Sequence, residues 1–213
     1  MDYTALNSDN SNELVIKVLL LGDNGVGKSS ILDRFVDDIY NDNTNPTKNV
    51  NLKQKIFDLD NKKIKMEISE ISGLESQKDA MENYCNETNG ILLIYDVTNA
   101  NSFENLNNYL TLINEKGKEN IIKILVGNKT DLEDKREITF YEGKEFADNN
   151  GFQFLETSAK NNFNIDNVFE IIGKKITEKN KNEESNKSEE NNKIESVQES
   201  NSDNKNKCCC CLF

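Results

Sequence analysis

Gly22-Asp23-Asn24-Gly25-Val26-Gly27-Lys28-Ser29 fits the pattern G-x-x-x-x-G-K-[ST], the loop that holds the phosphates of a nucleoside triphosphate. Its glycines let the backbone turn tightly enough for successive N–H groups to converge on phosphate oxygens. Lys28 would reach the outer phosphates and the Ser29 hydroxyl would ligate Mg²⁺. Asp23, Gly25, Val26, Gly27 and Ser30 would form the rest of the cradle. Two later segments suit a base. In Asn128-Lys129-Thr130-Asp131, the Asp131 carboxylate can accept from both the N1–H and the 2-amino group of guanine. Adenine has an acceptor at N1 and no such amino group, and an unmet buried carboxylate costs a few kcal/mol, enough for strong discrimination. Asn128 can bond the base and tie loops together, and the Lys129 stem can cover the ring face. In Ser158-Ala159-Lys160, the Ala159 N–H would donate to guanine O6 while Lys160 packs over the base. Each of these two short motifs is weak alone. Their order behind a phosphate loop makes the joint signal strong.

These loops need elements that present them on one edge. Residues 13–21 read as a buried strand entering the phosphate loop, and 29–36 as a helix leaving it with its N-terminus toward the phosphates. Residues 51–58 and 62–68 read as strands joined by a turn at Asp60-Asn61. The apolar runs 90–95 and 121–126 suit central parallel strands, and 152–156 a final strand. Helical patterns cover 102–116, with Ser102 followed by Asn105 at its start, and 140–149 and 165–179. Strands alternating with helices predict an α/β fold with a doubly wound, mostly parallel sheet. In such sheets ligands sit at the carboxyl ends of the strands, where all three motifs fall.

The chain has 213 residues, enough for one domain with a substantial core and an appendage. Lys and Arg number 26 against 38 Asp and Glu, a net charge of −12, which argues against nucleic acid as a partner. No charged, apolar and small-residue leader is present, which argues against secretion. No apolar run approaches the ~20 residues that span a bilayer. Asparagine takes about one position in six and falls in loops, helices and tail alike, a habit of composition and not a site. Histidine is absent, which removes the commonest general base and zinc ligand. Residues 1–12 are polar and expected to be disordered, 13–179 form the nucleotide-binding domain, and 180–207 are Asn, Glu, Lys and Ser with almost nothing apolar. That stretch is expected to be a disordered linker, and its balanced charge makes it no polybasic membrane patch.

From Val15 to about Lys179 the chain resembles the Ras-like small GTPases, most closely the Rab branch, in Tyr95-Asp96-Val97-Thr98, Val126-Gly127-Asn128-Lys129 and Phe154-Leu155-Glu156-Thr157-Ser158-Ala159-Lys160. The resemblance implies a P-loop NTPase fold of six mostly parallel strands and five helices, GTP and GDP binding with Mg²⁺, and a monomeric switch in vesicle traffic. It implies exchange factors, escort or dissociation-inhibitor proteins and effectors as partners. By the same similarity Tyr40 would lie against the guanine. Thr47 would be the second Mg²⁺ ligand with its N–H on the γ-phosphate, and Gly73 would donate its N–H to the same phosphate. Contacts of Thr47 and Gly73 exist only with GTP, so they order both switches in one state and release them in the other.

Three departures stand out. The family's W-D-T-A-G-Q-E is here Ser69-Glu70-Ile71-Ser72-Gly73-Leu74-Glu75. Leu74 replaces the glutamine that orients the attacking water, and a leucine has neither donor nor acceptor. Intrinsic hydrolysis is then expected below the slow ~10⁻⁴ s⁻¹ scale of the family, unless the protein cycles by other means or a partner supplies the polar group. Glu70 replaces an Asp that contacts Mg²⁺ through water, and its extra methylene must displace that water or shift a geometrically strict ion. Leu52, Ser69 and Cys85 stand where the Rab branch presents an aromatic trio, and Lys48 and Asn49 where it carries Ile and Gly. An effector surface without those rings loses its usual hot spots.

Cys208 to Cys211 are adjacent. They lack metal-ligand spacing and cannot form an ordinary disulfide framework. Cys210-Cys211-Leu212-Phe213 fits C-a-a-X, where a terminal Phe favours geranylgeranyl, and also resembles double-cysteine Rab ends. Prenylation of Cys210 alone and of Cys210 with Cys211 both remain open, with Cys208 and Cys209 as palmitoylation candidates. Stable anchoring generally takes two signals. The expected location is the cytoplasmic face of an intracellular or plasma membrane, with a cytosolic pool. A small-molecule P-loop kinase fits less well, because N-K-x-D has no job there. Cys85 reads as an ordinary buried small residue.

Overall fold

Strand alternation divides the apolar residues between two faces of one sheet. In the computed structural model, which describes residues 14–42, 50–60, 62–71, 78–118 and 120–202 (backbone alone at 78–80 and 184–202), the strands are β1 (Leu14–Leu21), β2 (Asn51–Leu59), β3 (Lys62–Glu70), β4 (Gly90–Asp96), β5 (Ile122–Asn128) and β6 (Gln153–Glu156). Their order is β2-β3-β1-β4-β5-β6. Only β2 runs antiparallel, against β3. Ile16, Val18 and Leu20 enter one core layer and Leu19 and Leu21 the other. Leu92 and Ile94 separate from Ile91, Leu93 and Tyr95 in the same way. This is the period of two that a strand covered on both faces requires. The expected six-stranded, mostly parallel α/β architecture is what the chain adopts.

The helices are α1 (Lys28–Asp37), α2 (Lys78–Glu87), α3 (Ala100–Glu104), α4 (Leu106–Lys116), α5 (Phe140–Asn150) and α6 (Ile165–Ser202), with a 3-10 turn at Thr130–Lys135. Six helices are therefore described where the resemblance implies five. The single helix expected over 102–116 is interrupted at Asn105, whose side chain is drawn to Asp23 at 2.7 Å. The cap is Asn99, which accepts from the Ser102 N–H at 3.3 Å, and not Ser102. No expected helix covers α2. Its polar sequence shows its inward face chiefly as Met81 and Cys85, four residues apart and both fully buried. Burial pushes the Cys85 thiol up to about 11, as befits a core residue and not a reactive one.

The chain divides into two units, Met1–Ile176 and Thr177–Phe213. In the first, Ile165, Val168, Phe169, Ile172 and Ile176 of α6 join the core. In the second, helical backbone continues to Ser202, beyond the end at Lys179 that the polar composition predicts. Nothing between Ile176 and Ser202 is Pro or Gly. Lys179 pairs with Glu183 one turn on, at 3.6 Å, the kind of contact that supports a solvated helix. Residues 1–13, which precede β1, and 203–213 lie outside the described residues. Among the described residues no helix is long and apolar enough to cross a membrane.

One core residue carries a measurable cost. The Tyr95 hydroxyl is buried without a hydrogen-bond partner among the described residues. Its ring packs on Phe103, with centroids 5.0 Å apart. A buried orphan hydroxyl forfeits about 1–3 kcal/mol. Tyr95→Phe keeps the ring and removes the hydroxyl, so it is expected to raise Tm by ~2–4 °C for each kcal/mol recovered in differential scanning calorimetry. A fall in Tm would show that the hydroxyl is bonded.

Candidate functional site

Parallel strands bring their carboxyl ends to one edge, and every candidate loop leaves from there. β1 ends at Leu21 and turns at once into the glycine loop. Gly22 and Gly27 have φ of 144° and 96°, in the region that favours glycine. A Cβ on Gly22 would sit 2.2 Å from the Ile94 carbonyl oxygen, and one on Gly27 2.3 Å from Asn128 Nδ2. The glycines are thus required both by dihedral angle and by the approach of β4 and of the Asn128 side chain. Gly27 caps α1 with no side-chain hydrogen bond, so the start of α1 offers backbone donors and the positive end of its dipole to an anion.

Lys28 is 2 % exposed. Its ammonium donates to the carbonyls of Gly22 at 2.8 Å and Asp23 at 2.6 Å. Burial lowers its pKa to about 8, against the opposing pull of Glu70 and Asp23. This is a cation short of a full counter-charge, which an anion would supply. Beside it the Ser29 hydroxyl donates to Glu70 Oε1 at 2.5 Å, and Asn51 Nδ2 donates to Glu70 Oε2 at 3.2 Å. Glu70 closes β3, opposite Leu20 of β1 and Asn51 of β2, so the register of three strands places its carboxylate.

Asn128, buried at the end of β5, fastens the loops to one another. Its Nδ2 donates to the Val26 carbonyl at 2.9 Å. Its Oδ1 accepts from Thr157 Oγ1 at 3.1 Å and from the Ala159 N–H at 3.4 Å. Lys129, with φ of 69°, pairs with Asp96 at 2.7 Å. Ser158 Oγ donates to Asp131 Oδ1 at 2.5 Å. Arg136 forks onto both oxygens of Glu156 at 2.7 and 3.2 Å, fixing the exit of the 3-10 turn to the end of β6. Such bidentate pairing holds orientation as well as charge.

The result is a cleft of about 490 Å³. Of the residues singled out in the sequence, Gly25, Gly27, Lys28, Ser29, Ser30, Tyr40, Glu70, Asn128, Lys129, Asp131, Ala159 and Lys160 line it. Asp23, Val26 and Ser158 stand behind the wall. Asp23 turns its carboxylate to Asn105 Nδ2 at 2.7 Å and Tyr109 Oη at 3.0 Å, and Val26 and Ser158 act through Asn128 and Asp131. Thr47, Gly73 and Leu74 lie outside the described residues, as do Lys48, Asn49 and Cys208 to Cys211. Asn24, an unspecified position of the phosphate-loop motif, also lines the cleft, as do Asn41, Asp42 and Leu132, which no motif named. Leu132 directly follows Asp131, and Asn41 and Asp42 directly follow Tyr40, so adjacency was the available signal. Nothing local could have shown that Asn105 and Tyr109 brace Asp23, because they are 82 and 86 residues away. Of the three positions where the aromatic trio would stand, Leu52 is exposed, while Ser69 and Cys85 are buried.

A strand, glycine loop and helix opening such a cleft at the carboxyl edge of a parallel sheet define a P-loop nucleotide-binding protein. The Ras family model matches residues 17–178. The chain is 39 % identical over 172 residues to GTP-binding protein ypt2 of Schizosaccharomyces pombe, covering 81 % of this chain and 86 % of that protein. It is 42 % identical over 168 residues to Ras-related protein RABE1d of Arabidopsis thaliana, covering 78 % of each. It is 40 % identical over 167 residues to Ras-related protein Rab-10 of Diplobatis ommata, covering 78 % of this chain and 84 % of that one. The chain belongs to the Ras family of small GTPases, in its Rab branch.

Proposed function

We propose that the cleft binds GDP and GTP with Mg²⁺, and that the protein is a membrane-anchored switch in vesicle transport whose own hydrolysis is impaired. The observation that carries the nucleotide reading is the convergence of Lys28 and Ser29 with Asn128, Asp131 and Ala159 on one cleft. Lys28 and the start of α1 take the phosphates, Asp131 takes N1–H and the 2-amino group, and the Ala159 N–H takes O6. Lys129, held by Asp96, and Tyr40 and Lys160 enclose the base. The name of the yeast relative, a GTP-binding protein, supports the same assignment.

The donors beside the phosphate loop suit Mg²⁺. They are a hydroxyl and a carboxylate, hard oxygens with no sulfur or imidazole among them. Ser29 would ligate the ion and Glu70 would hold it through water, with Thr47 as a further ligand. When bound, the ion neutralises charge on the phosphates. Leu74 at the glutamine position leaves the attacking water without a side chain to orient it. C-terminal prenylation at Cys210, or at Cys210 and Cys211, would supply the anchor on a cytoplasmic membrane face, with loading and retrieval by exchange factor and escort proteins. Burial of Ser69 and Cys85 favours an effector other than those that read an aromatic trio, so a GTP-locked scaffold fits the surface. A second reading, a GTPase completed by a partner's glutamine or arginine, rests on Leu74 itself.

Nucleotide content of the protein purified from its own cells tests the impaired cycle. Predominant GTP is expected. Predominant GDP would show that hydrolysis works and would leave the nucleotide reading standing without the arrested one.

A further inference from the structure

Arg34 lies six residues beyond Lys28 on α1, about 9 Å along the helix. Its side chain is only 16 % exposed, although no motif includes it. The guanidinium donates from Nε to the Ala159 carbonyl at 3.1 Å and from Nη2 to the Lys160 carbonyl at 3.4 Å. From Nη1 it donates to the carbonyl and to Oδ1 of Asp38, both at 3.1 Å. Its central carbon stands 5.8 Å from the centroid of the Tyr40 ring. Asp38 ends α1 in the left-handed region, with φ of 55°, and so turns the chain toward Tyr40. One planar cation therefore binds two consecutive carbonyls of the Ser158-Ala159-Lys160 loop, the end of α1 and the face of Tyr40.

A base-reading N–H discriminates only if its peptide is held still before the base arrives. The Ala159 N–H belongs to the Ser158–Ala159 peptide, where Asn128 Oδ1 accepts it at 3.4 Å and the Ser158 carbonyl accepts from the Phe163 N–H at 2.9 Å. Arg34 holds the next two carbonyls, those of Ala159 and Lys160. Lysine could not replace it, since an ammonium is a point charge without the fork that spans adjacent carbonyls. We propose that Arg34 is a positioning residue for base recognition, which fixes the two peptides that follow the Ala159 N–H, and so the direction of that N–H toward the O6 of guanine, from the same helix whose start takes the phosphates. The inference rests on the guanine reading of the cleft and adds to it the residue that sets its O6 specificity.

The test compares release of GDP, inosine diphosphate and the diphosphate of 2-aminopurine riboside from the full chain, by displacement with excess GTP. The second lacks the 2-amino group; the third lacks O6 and with it the N1–H, and keeps only the 2-amino group for Asp131. Arg34→Ala is expected to release GDP and inosine diphosphate about tenfold faster and the analogue without O6 at a nearly unchanged rate. Arg34→Lys is expected to resemble Arg34→Ala, and it carries the same comparison should the alanine variant fail to fold. Equal acceleration of all three nucleotides would reduce Arg34 to a structural role and overturn the proposal. Unchanged GDP release beside a wild-type protein that retains GDP would overturn it as well. A wild-type protein that retains no GDP would overturn the guanine reading, and the positioning role with it.

Discussion

Asp131→Asn is expected to cut GDP affinity by about a hundredfold or more and to transfer preference to xanthosine diphosphate. The carboxylate offers two acceptors to two guanine donors. An asparagine amide keeps one acceptor and turns a donor toward the 2-amino group, leaving two buried donors facing each other, and losing a charged hydrogen bond costs about 1.5–3 kcal/mol before that repulsion is added. Xanthine carries a carbonyl at position 2, so the amide N–H finds an acceptor there while N1–H still meets the amide oxygen. Ser158 Oγ donates to Asp131 Oδ1, and an amide oxygen in its place can keep that bond, so the loop need not collapse. Competition calorimetry with both diphosphates checks the exchange. A variant that keeps its guanine preference would show that Asp131 does not read the base.

Leu74→Gln is expected to accelerate single-turnover GTP hydrolysis by at least about tenfold, ~1.4 kcal/mol of barrier. Position 74 lies outside the described residues, and the effect follows from side-chain chemistry alone. A hydrocarbon cannot orient water, whereas glutamine can both donate and accept. The wild-type rate is expected below the ~10⁻⁴ s⁻¹ scale of an intrinsic small GTPase. Wild-type hydrolysis already at an ordinary Rab rate, unaffected by the glutamine, would mean that another group does the work. Acceleration of the wild type by cell extract would favour the partner-completed enzyme over the locked switch.

Much of this was legible in the chain because it was written locally. The strands announced themselves by apolar runs, and the phosphate loop by two glycines and a lysine at fixed spacing. Asn128, Asp131 and Ala159 followed their strands directly, so a parallel sheet was enough to bring them together. What escaped was tertiary. The break at Asn105 arises from a bond to Asp23 in a distant loop. α2 shows too few inward apolar residues for a period to emerge, and Met81 and Cys85 became core only once the sheet stood beneath them. The helix beyond Lys179 goes against a composition that argues for a linker, since the sequence there offers almost nothing apolar but holds no Pro or Gly to stop a helix either. Arg34 belonged to no pattern at all, and its role follows from two carbonyls more than a hundred residues away.

Calorimetric titration of the nucleotide-stripped chain with GDP, GTP and ATP in magnesium buffer tests directly whether the cleft is a guanine-nucleotide site. One tight site for each guanine nucleotide and none for ATP is the predicted result. Failure of both GDP and GTP to bind, or ATP binding as tightly as they do, would contradict it.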